Sequence, residues 1–511
     1  MKGAVRGARR AWLPIAVAMV LAGCGSTVGG VGTSQASGVG DGTGSGVSAG
    51  SPSAMPNPLA TGQAAGVLQM TTSTSGAGAA GPQTSVGTSG VVAGSTTYGA
   101  IPLSGRGWDR NFIYIGETTQ KDVQTVAQSF GVNSVDTGDQ QADTEAIINT
   151  FNAKGGLFGR KLKGNYFDIK TTGNAETQAQ AACTHFTQDR PVVAVFQAAL
   201  ASDTPSFRSC MAKAQVPVIA GGGQAFDDQV FSELKGYYTL APFPSWNPFA
   251  PTLAKRLEAQ SYFTPWDTTN GAKGVAPVKV GFFCPDTPIG RRVGGLVAKA
   301  FAAVGHAPSD YYYYGNGEGE ASSAALKFKS SGVTHIVACD LPLFVLMTAA
   351  ESQHYRPRYA ISTFNTPALF LEGVSPAAQL AGSVGVGWAP TLDVASARDP
   401  GSLPAAKRCA ADAKKYGVSY PPQRRFAQAF LYDSCDIIGL IVASMRQVGA
   451  LTGPAIRDGL GIVGGRFDLA LSFASMLSPT QHGVPGAVRD ISYEGTCSCY
   501  KYRDAITRIG A

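Results

Sequence analysis

From Asn111 onward, short apolar runs alternate with stretches whose apolar residues recur at helical spacing. A parallel strand that is buried on both faces needs helices against both, so this alternation predicts repeated β-α-β units around parallel sheets. The expected strands of a first series are 112–115, 166–169, 192–196 and 216–220. Those of a second series are 278–283, 311–314, 335–339 and 359–362. The sequence therefore predicts an α/β fold with two lobes of parallel sheet, flanked by helices and joined by a multi-strand hinge.

The later part of the chain crosses between the lobes again. Its pattern indicates an extended crossing at 384–388, helices near Ala411, at 426–448 and after Pro454, and strand-like pieces at 491–493 and 499–502. The expected segments are a signal peptide at 1–23, a tether at 24–106, the first part of the N-terminal lobe at 107–241, the C-terminal lobe at 242–383, a return to the N-terminal lobe at 384–460, and a segment crossing to the C-terminal lobe at 461–511.

The first residues have the layout of a secretory signal. A basic stretch precedes the apolar run 11–22, which is too short for a bilayer span of about 20 residues. Leu21, Ala22 and Gly23 then lead to Cys24, and this site resembles the bacterial lipobox, whose cysteine receives a diacylglyceryl group. We expect lipidation of Cys24 and an extracytoplasmic protein anchored in the cell membrane. An ordinary signal that happens to end near a cysteine is the alternative.

Residues 25–105 consist mainly of Gly, Ser, Thr and Ala, and Asp41 is their one charged residue. Such a stretch buries too little apolar surface to offset the entropy of ordering it, so we expect a disordered tether. About 80 residues of flexible chain typically span ~50 Å. The composition thus places the folded part at a distance from the membrane.

Nine cysteines are present, and eight remain after Cys24. An even number in an oxidising compartment indicates disulfides, although sequence alone does not determine their connectivity. Cys183 and Cys210 lie on successive expected helices, and Cys284 and Cys339 at the ends of two expected strands. The remaining candidates are Cys409 with Cys435 and Cys497 with Cys499.

The most specific segment is 152–162, NAKGGLFGRKL. Gly155 can take the left-handed conformation that ends a helix, Gly159 turns the chain, and a strand restarts at Leu162. The segment resembles the Asn-x-x-Gly-Gly-x-x-Gly-Arg pattern after the first helix of type I periplasmic binding proteins, the family of leucine/isoleucine/valine receptors. Segments 171–186, 191–223, 382–390 and 485–489 are also similar, and the resemblance covers about residues 110–505. The Cys183/Cys210 spacing is similar to a disulfide in the first lobe of amino-acid receptors.

The resemblance implies a solute-binding lipoprotein of an ABC importer, which captures a small polar metabolite, such as an amino acid or amide, between two hinged lobes. Its implied partners are this small-molecule ligand, the permease subunits of the transporter, and the membrane through the lipid anchor. No cofactor, metal or enzyme activity is expected. The alternative is a ligand-sensing lipoprotein that reports to a membrane signalling partner, and a surface-anchored hydrolase is a more remote one.

Other functional classes find little support in the sequence. The formal net charge is +7, but four of the basic residues lie in the first ten and no block of five like charges occurs, so there is no footprint for nucleic acid. The G-x-S-x-G match at 46–50 lies in the tether, without a strand before it or a helix after it. The five histidines show no metal-ligand spacing.

Open parallel sheets bind ligands at the carboxyl ends of their strands. The candidate ligand residues of the first lobe follow its strands: Thr118, Thr119, Gln197, Ser202, Asp203, Gly222 and Gln224. The two threonines are as well suited to capping a helix. The resemblance implies a carboxylate-binding role for Ser202, whereas Asp203 would repel a carboxylate and is better suited to helix capping.

In the second lobe, Trp246 is a candidate for stacking on the ligand, with a place in the core as the alternative. Asp286 and Asp340 follow strands, where either could meet an ammonium group or cap the next helix. Asn365 lies where amino-acid receptors often carry an acid for that ammonium. An uncharged amide at this position argues against an amino-acid ligand.

Overall fold

The computed structural model of the chain describes residues 98–125, 136–222, 225–315, 319–340, 343–394 and 403–510. The predicted signal peptide, the lipidation site Cys24, most of the predicted tether and Gln224 lie outside these residues. The described residues contain two large β-sheets, each built around parallel strands.

The first sheet has the order β2-β1-β3-β4-β5, and all its neighbouring strands are parallel. Its strands are β1 (Phe112–Thr119), β2 (Lys161–Asp168), β3 (Ala194–Gln197), β4 (Val218–Ala220) and β5 (Tyr238–Leu240). The helices between them are α1 (Gln140–Ala153), α2 (Ala175–Thr184), α3 (Pro205–Lys213) and α4 (Asp228–Glu233). A π-helical turn, His185–Asp189, continues α2, and a 3-10 turn, Leu200–Ser202, precedes α3.

The chain then enters the second lobe through α5 (Trp246–Ala259) and a small antiparallel pair, β6 (Trp266–Asp267) and β7 (Ala272–Lys273). The strands of the second sheet begin with β8 (Val280–Pro285), β9 (Asp310–Tyr314), β10 (His335–Ala338), β11 (Arg358–Ser362) and β12 (Val384–Gly387). The helices between these strands are α6 (Pro288–Ala302), α7 (Glu320–Ser330), α8 (Leu343–Ser352) and the short α9 (Pro367–Leu369). The short turns of this lobe are Thr363–Asn365, Phe370–Val374 and Ala377–Leu380.

The last part of the chain contributes to both lobes. The short helix α10 (Pro390–Asp393) leads back to the first lobe, which gains α11 (Pro404–Lys414), α12 (Arg425–Val448), α13 (Gly453–Val463) and the turn Gly464–Arg466. The chain then returns to the second sheet as β13 (Ala487–Glu494), β14 (Cys499–Tyr502) and β15 (Thr507–Arg508). The order of that sheet is β14-β13-β12-β11-β10-β8-β9, in which β13 and β14 are antiparallel and β15 pairs with β13.

In the part of the chain that the structure describes, three crossings join the lobes, and they pack against one another. The third crossing pairs with β5, because Leu240 donates its N–H to the His482 carbonyl and Val484 donates to the Leu240 carbonyl. The Trp388 indole N–H of the second crossing donates to the Pro242 carbonyl of the first, at 2.8 Å. Phe243, Trp246, Phe249, Phe364 and Trp388 surround these contacts as a cluster of aromatic rings.

Two predicted boundaries are wrong. β12 pairs with β11 in the second sheet, so the return to the first lobe begins after Gly387 and not at 384. The predicted tether also ends too late, because residues from Tyr98 onward already pack on the first lobe. The Tyr98 hydroxyl donates to Asp458 at 2.7 Å, and the Trp108 indole donates to the Pro102 carbonyl at 3.2 Å.

Helix α12 is long and apolar enough to cross a membrane by length and composition, and it is the one such helix in the described part of the chain. However, 61% of its apolar window is buried inside the protein. The helix packs against α1, α13 and β3, and Ile437, Ile438 and Ile441 are fully buried. It is therefore a core helix of the first lobe.

Among the described residues there are four disulfide bonds, in the pairs considered from the sequence. Cys183–Cys210 joins α2 to α3, and Cys409–Cys435 joins α11 to α12. Cys284–Cys339 links the end of β8 to the residue after β10, and Cys497–Cys499 lies in the turn between β13 and β14. The Cys284–Cys339 bond fixes two neighbouring strand ends at the edge where a ligand site is expected.

Candidate ligand-binding site

The polar residues predicted from the first lobe gather at the carboxyl edge of its sheet, since all its strands are parallel. The Thr118 hydroxyl lies 3.1 Å from the Ser202 hydroxyl, although the two residues are 84 positions apart. Ser202 also donates to the Ala199 carbonyl at 2.7 Å, and the Ala199 N–H lies 3.3 Å from the Thr118 hydroxyl oxygen. These contacts place two hydroxyl groups and the backbone of one loop together.

Thr119 points the other way. Its hydroxyl lies 3.3 Å from an Asp168 carboxylate oxygen at the end of β2, on the opposite face of the strand from Thr118, because successive side chains of a strand alternate. The structure therefore separates the two threonines that the sequence analysis took together.

Gln197 and Asp203 belong to a buried polar network at the same edge. The Tyr238 hydroxyl lies 2.8 Å from Asp203 Oδ1 and 3.1 Å from Gln197 Oε1. Arg208 forms an ion pair with Asp203 at 2.7 Å, with both side chains almost fully buried. The Gln197 amide also donates to the Ala199 carbonyl at 2.7 Å. Burial and the Asp203 carboxylate raise the pKa of Tyr238 well above its usual range, so this hydroxyl remains a donor.

The capping role favoured for Asp203 is wrong. Thr204 caps α3, because its hydroxyl accepts the N–H of Phe207 at 3.2 Å. Asp203 instead pairs with Arg208, and its Oδ2 atom has no hydrogen-bond partner among the described residues. A buried oxygen without a donor usually has one supplied by water or a ligand.

The strand β4 is followed by glycines, which have no side chain. The Gly221 N–H donates to the Gln197 carbonyl at 2.9 Å, and Gly222 is buried. A Cβ atom on Gly221 would come 2.2 Å from Asp433 Oδ2 of α12. The close packing of this helix against the loop thus requires glycine. Gln224, the other residue predicted here, lies outside the described residues.

In the second lobe, Asp340 and Asn365 come together. Asn365 donates its side-chain amide to the Asp340 carbonyl at 2.7 Å and accepts the Ser362 N–H at 2.9 Å. Tyr314, at the end of β9, donates its hydroxyl to Asp340 Oδ1 at 2.7 Å. Burial raises the pKa of Asp340 to about 7, and the Tyr314 hydrogen bond opposes this rise. Three strand ends of the second sheet thus meet at Asp340, with Tyr314 at its carboxyl group and Asn365 at its main-chain carbonyl.

Asp286 lies apart from this group. Its side chain is exposed and forms an ion pair with Arg291 at 2.7 Å. It does not cap α6 either, because the Thr287 hydroxyl accepts the Gly290 N–H at 2.9 Å. The structure thus gives Asp286 a surface contact within its own lobe.

Trp246 is fully buried at the start of α5. Its ring stacks on Phe364 with centroids 5.2 Å apart and meets Phe249 edge-on at 5.0 Å. Its place in the aromatic cluster at the crossings matches the core alternative. The indole N–H is buried without an acceptor among the described residues, next to the loop that holds Asn365.

Two further carboxyl groups, Glu117 and Asp433, lie beneath the first-lobe edge and were missed by sequence reasoning. Both are buried, and none of their oxygens completes a hydrogen bond with the described residues. Burial raises the pKa of each well above its usual range. For Glu117 the Thr144 hydroxyl opposes the rise, and for Asp433 the charge of Asp436 adds to it. The fold therefore favours the protonated forms.

The lobes are also linked by an ion pair that no sequence signal indicated. Arg292 on α6 donates to both carboxylate oxygens of Asp227, at 2.5 and 2.9 Å. Asp227 lies in the loop between β4 and α4 of the first lobe, where it also caps α4. Arg208, Tyr238 and Arg292 escaped prediction because their roles depend on partners from distant segments.

The family model described as periplasmic binding protein matches residues 130–486, which is more than half of the chain. Among solved structures, the chain is similar to a branched-chain amino acid ABC transporter protein from Thermus thermophilus with bound valine (TM-score 0.55, 12% identity, 78% of this chain and 96% of that chain). It is also similar to an ABC transporter substrate-binding protein from Aeropyrum pernix (TM-score 0.57, 13% identity, 78% and 96%). A third similar structure is a substrate-binding protein from Desulfitobacterium hafniense in complex with Leu (TM-score 0.52, 14% identity, 77% and 100%).

No curated protein matches the chain. At these identities the solved structures establish the fold alone, and that fold agrees with the two sheets and three crossings described above. The family model adds a match over both lobes. The chain thus belongs to the periplasmic binding protein family and has its type I, two-lobed α/β fold.

Proposed function

We propose that this chain is the extracytoplasmic receptor of an ABC importer, which binds a small polar metabolite between its two lobes. The family consists of solute-binding proteins, and membership implies a location outside the cytoplasm. The observation that carries the proposal is the set of polar side chains at the carboxyl edges of both sheets. Thr118 and Ser202 lie at one edge, and Asp340 and Asn365 at the other.

The polar groups define the chemistry of the ligand. The hydroxyl groups of the first lobe suit a carboxylate or carbonyl oxygen. Asp340, whose pKa is raised to about 7 by burial, gains most from a ligand N–H or ammonium group, because a nearby positive charge restores its ionised form. An amino acid, an amide or a related compound supplies both kinds of group. Valine and leucine are bound in two of the similar structures, which makes them the first compounds to test.

A thermal-shift screen tests this proposal. A ligand that binds only the folded form stabilises it by RT ln(1 + [L]/Kd), which is about 2.7 kcal/mol at a concentration of 100 Kd. We expect one class among amino acids, amides, short peptides and aromatic acids to raise the Tm of the full chain. A complete panel without any shift would contradict the receptor function.

We further propose that a lipid on Cys24 anchors the receptor and that the following Gly- and Ser-rich segment connects it to the membrane. Two acyl chains give stable anchoring, because each buried CH₂ contributes about 0.8 kcal/mol. Cells grown with labelled palmitate should incorporate the label into the wild-type chain and not into Cys24→Ala. Equal labelling of both proteins would exclude this anchor.

A further inference from the structure

A second concave site lies in the first lobe, on its helical side. Helices α1, α11, α12 and α13 enclose a groove of about 630 Å³. Sites for small organic molecules typically measure roughly 300–1,000 Å³. The volume is therefore sufficient for a molecule the size of a medium-chain fatty acid.

The groove is separate from the cleft. Helix α1 runs from the carboxyl edge of the first sheet, where β1 ends, to the amino edge, where β2 begins. The groove is lined by Phe151 and Lys154, which lie at the end of α1 and so at the amino edge. Thr118 and Ser202 occupy the opposite edge. A molecule in the groove does not reach the proposed ligand site.

The floor of the groove is apolar. Ile147, Phe151, Val442, Val463 and Phe467 line it. Ile462 lines it as well and is 48% exposed, one of the few large apolar side chains among the described residues that face solvent. The disulfide Cys409–Cys435 joins α11 to α12 within the wall. This covalent link holds the two helices at a fixed separation.

The acidic side chains of the lining already have partners. Asp436 accepts the N–H groups of Ala470 and Leu471 at 2.6 and 2.9 Å. Asp412 pairs with Lys415 at 2.6 Å and lies 3.4 Å from Lys154. Asp468 lies 3.4 Å from Arg408. These acids are therefore occupied by neighbouring groups of the protein.

Two arginines of the lining have no such partner. Arg446 and Arg466 are exposed and form no ion pair with the described residues. The Arg446 guanidinium lies 5.9 Å from the centroid of the Phe151 ring, which keeps it beside the apolar floor. A guanidinium offers several N–H donors in a plane that suits a carboxylate or phosphate. The groove thus combines uncompensated positive charge with an apolar surface.

We propose that this groove binds a soluble amphipathic anion, with a carboxylate or phosphate head on an apolar body. The head pairs with Arg446 and Arg466, and the body lies on Phe151, Val463 and Phe467. The proposal does not depend on which solute the cleft binds.

Calorimetric titration of the full chain with sodium decanoate tests this site. We expect saturable binding of decanoate, and none of acetate, which lacks the apolar body, or of decyltrimethylammonium, which carries the opposite charge. Arg446→Gln with Arg466→Gln should weaken decanoate binding about tenfold, since two charge-assisted contacts are lost. Lys407→Gln, an exposed change on α11 outside the lining, is the matched control and should bind decanoate as the wild type does.

A third variant tests the groove without altering charge. Ala443→Trp places a large ring in the groove, and an unchanged Tm will show that the variant folds. We expect it to lose decanoate binding. Wild-type affinity in the double arginine variant, equal binding of decyltrimethylammonium, or displacement of decanoate by the solute of the cleft would overturn the proposal. Arginine-dependent co-sedimentation with phosphatidylglycerol vesicles would also overturn it, because the partner would then be a membrane and not a soluble anion.

Discussion

Asn152 joins the end of α1 to the start of β2 through its side chain. Its amide donates to the Leu162 carbonyl at 2.9 Å, and its oxygen accepts the Leu162 N–H at 2.7 Å. Arg160 is nearly buried and donates to the carbonyls of Asp109 and Pro102. These side chains of the motif at 152–162 therefore stabilise the turn between α1 and β2. This explains why the segment identifies the fold but not the ligand.

Gly155 and Gly156 of the same turn both have positive φ, +97° and +71°. A Cβ on Gly155 would meet nothing within 4 Å, whereas one on Gly156 would come 2.1 Å from the Arg160 carbonyl oxygen. Gly155→Ala should therefore lower the free energy of unfolding by only about 1 kcal/mol, the strain of placing alanine in this conformation. Gly156→Ala should cost on the order of 3 kcal/mol, because the backbone must also shift. Denaturant unfolding of the two variants measures the difference, and equal losses would contradict this explanation.

Asp433 makes stability depend on pH. Its pKa in the folded state is raised well above the ordinary 3.8 by burial, so between these two values the folded protein holds a proton that the unfolded chain releases. The contribution of Asp433 to the free energy of unfolding is thus most favourable at acidic pH and falls as pH rises. Asp433→Asn, which resembles the protonated form, should raise the Tm at pH 8.

The benefit of Asp433→Asn should shrink towards pH 4, because the unfolded chain begins to bind the same proton as pH approaches the ordinary pKa of 3.8. Asp468→Asn is a suitable control, because Asp468 is 83% exposed as a side chain and should leave the pH profile unchanged. A shift in Tm that is the same at pH 4 and pH 8 would contradict the assignment to Asp433.

Among the elements, most strands could be predicted because each is a short apolar run between helical patterns. β3 has four fully buried residues, Ala194–Gln197, and its sequence shows this directly. β2 begins at Lys161, five residues before the predicted run 166–169 and one residue before the restart expected at Leu162. Its first half lacks an apolar run because lysines alternate with Leu162 and Gly164 on a partly exposed strand. β5, a strand of three residues, was not predicted. Helix α5 was missed because Pro248 and Pro251 obscure its pattern.

The ion pair between Asp227 and Arg292 joins two elements of different lobes, the loop before α4 in the first lobe and α6 in the second. Arg292→Gln removes it while leaving Asp227 to cap α4. Loss of this contact between the lobes should make the ligand dissociate faster, and we expect its affinity to fall about threefold. The effect is modest because the ion pair is partly exposed to solvent. Stopped-flow measurement of ligand release tests this.

Arg291→Gln is the matched control for this experiment. Arg291 neighbours Arg292 on α6, but it pairs with Asp286 of the same lobe. Its loss should leave ligand release unchanged. Equal acceleration in both variants would mean that charge on α6, and not the contact between the lobes, controls release.

For the whole molecule, the sequence supported two lobes and several crossings, but not the contacts made where the crossings meet. Trp246 illustrates the difference, since its sequence context was compatible both with stacking on a ligand and with a place in the core. Burial against Phe364, a residue of the turn after β11, places it in the aromatic cluster beside the crossings. Contacts of this kind depend on how the lobes are arranged, and local sequence patterns carry no information about that.

The pairing of Thr118 with Ser202 and of Asp340 with Asn365 likewise appears only when the strands are assembled. The types of residue were evident, because hydroxyl, amide and carboxyl groups followed the expected strands. Their partners were not, since Arg208 and Tyr238 come from elements whose neighbours the sequence does not specify.

The central claim is that one solute binds between the two sheet edges and contacts both lobes. Calorimetric titration of that solute into the wild type, Ser202→Ala and Asn365→Ala tests it most directly, with Ser232→Ala, an exposed change on α4, as control. The account predicts at least about tenfold weaker binding for each cleft variant, because each loses a hydrogen-bonding group at its edge, and wild-type binding for Ser232→Ala. Wild-type affinity in either cleft variant would contradict it, because the solute would then not depend on that lobe.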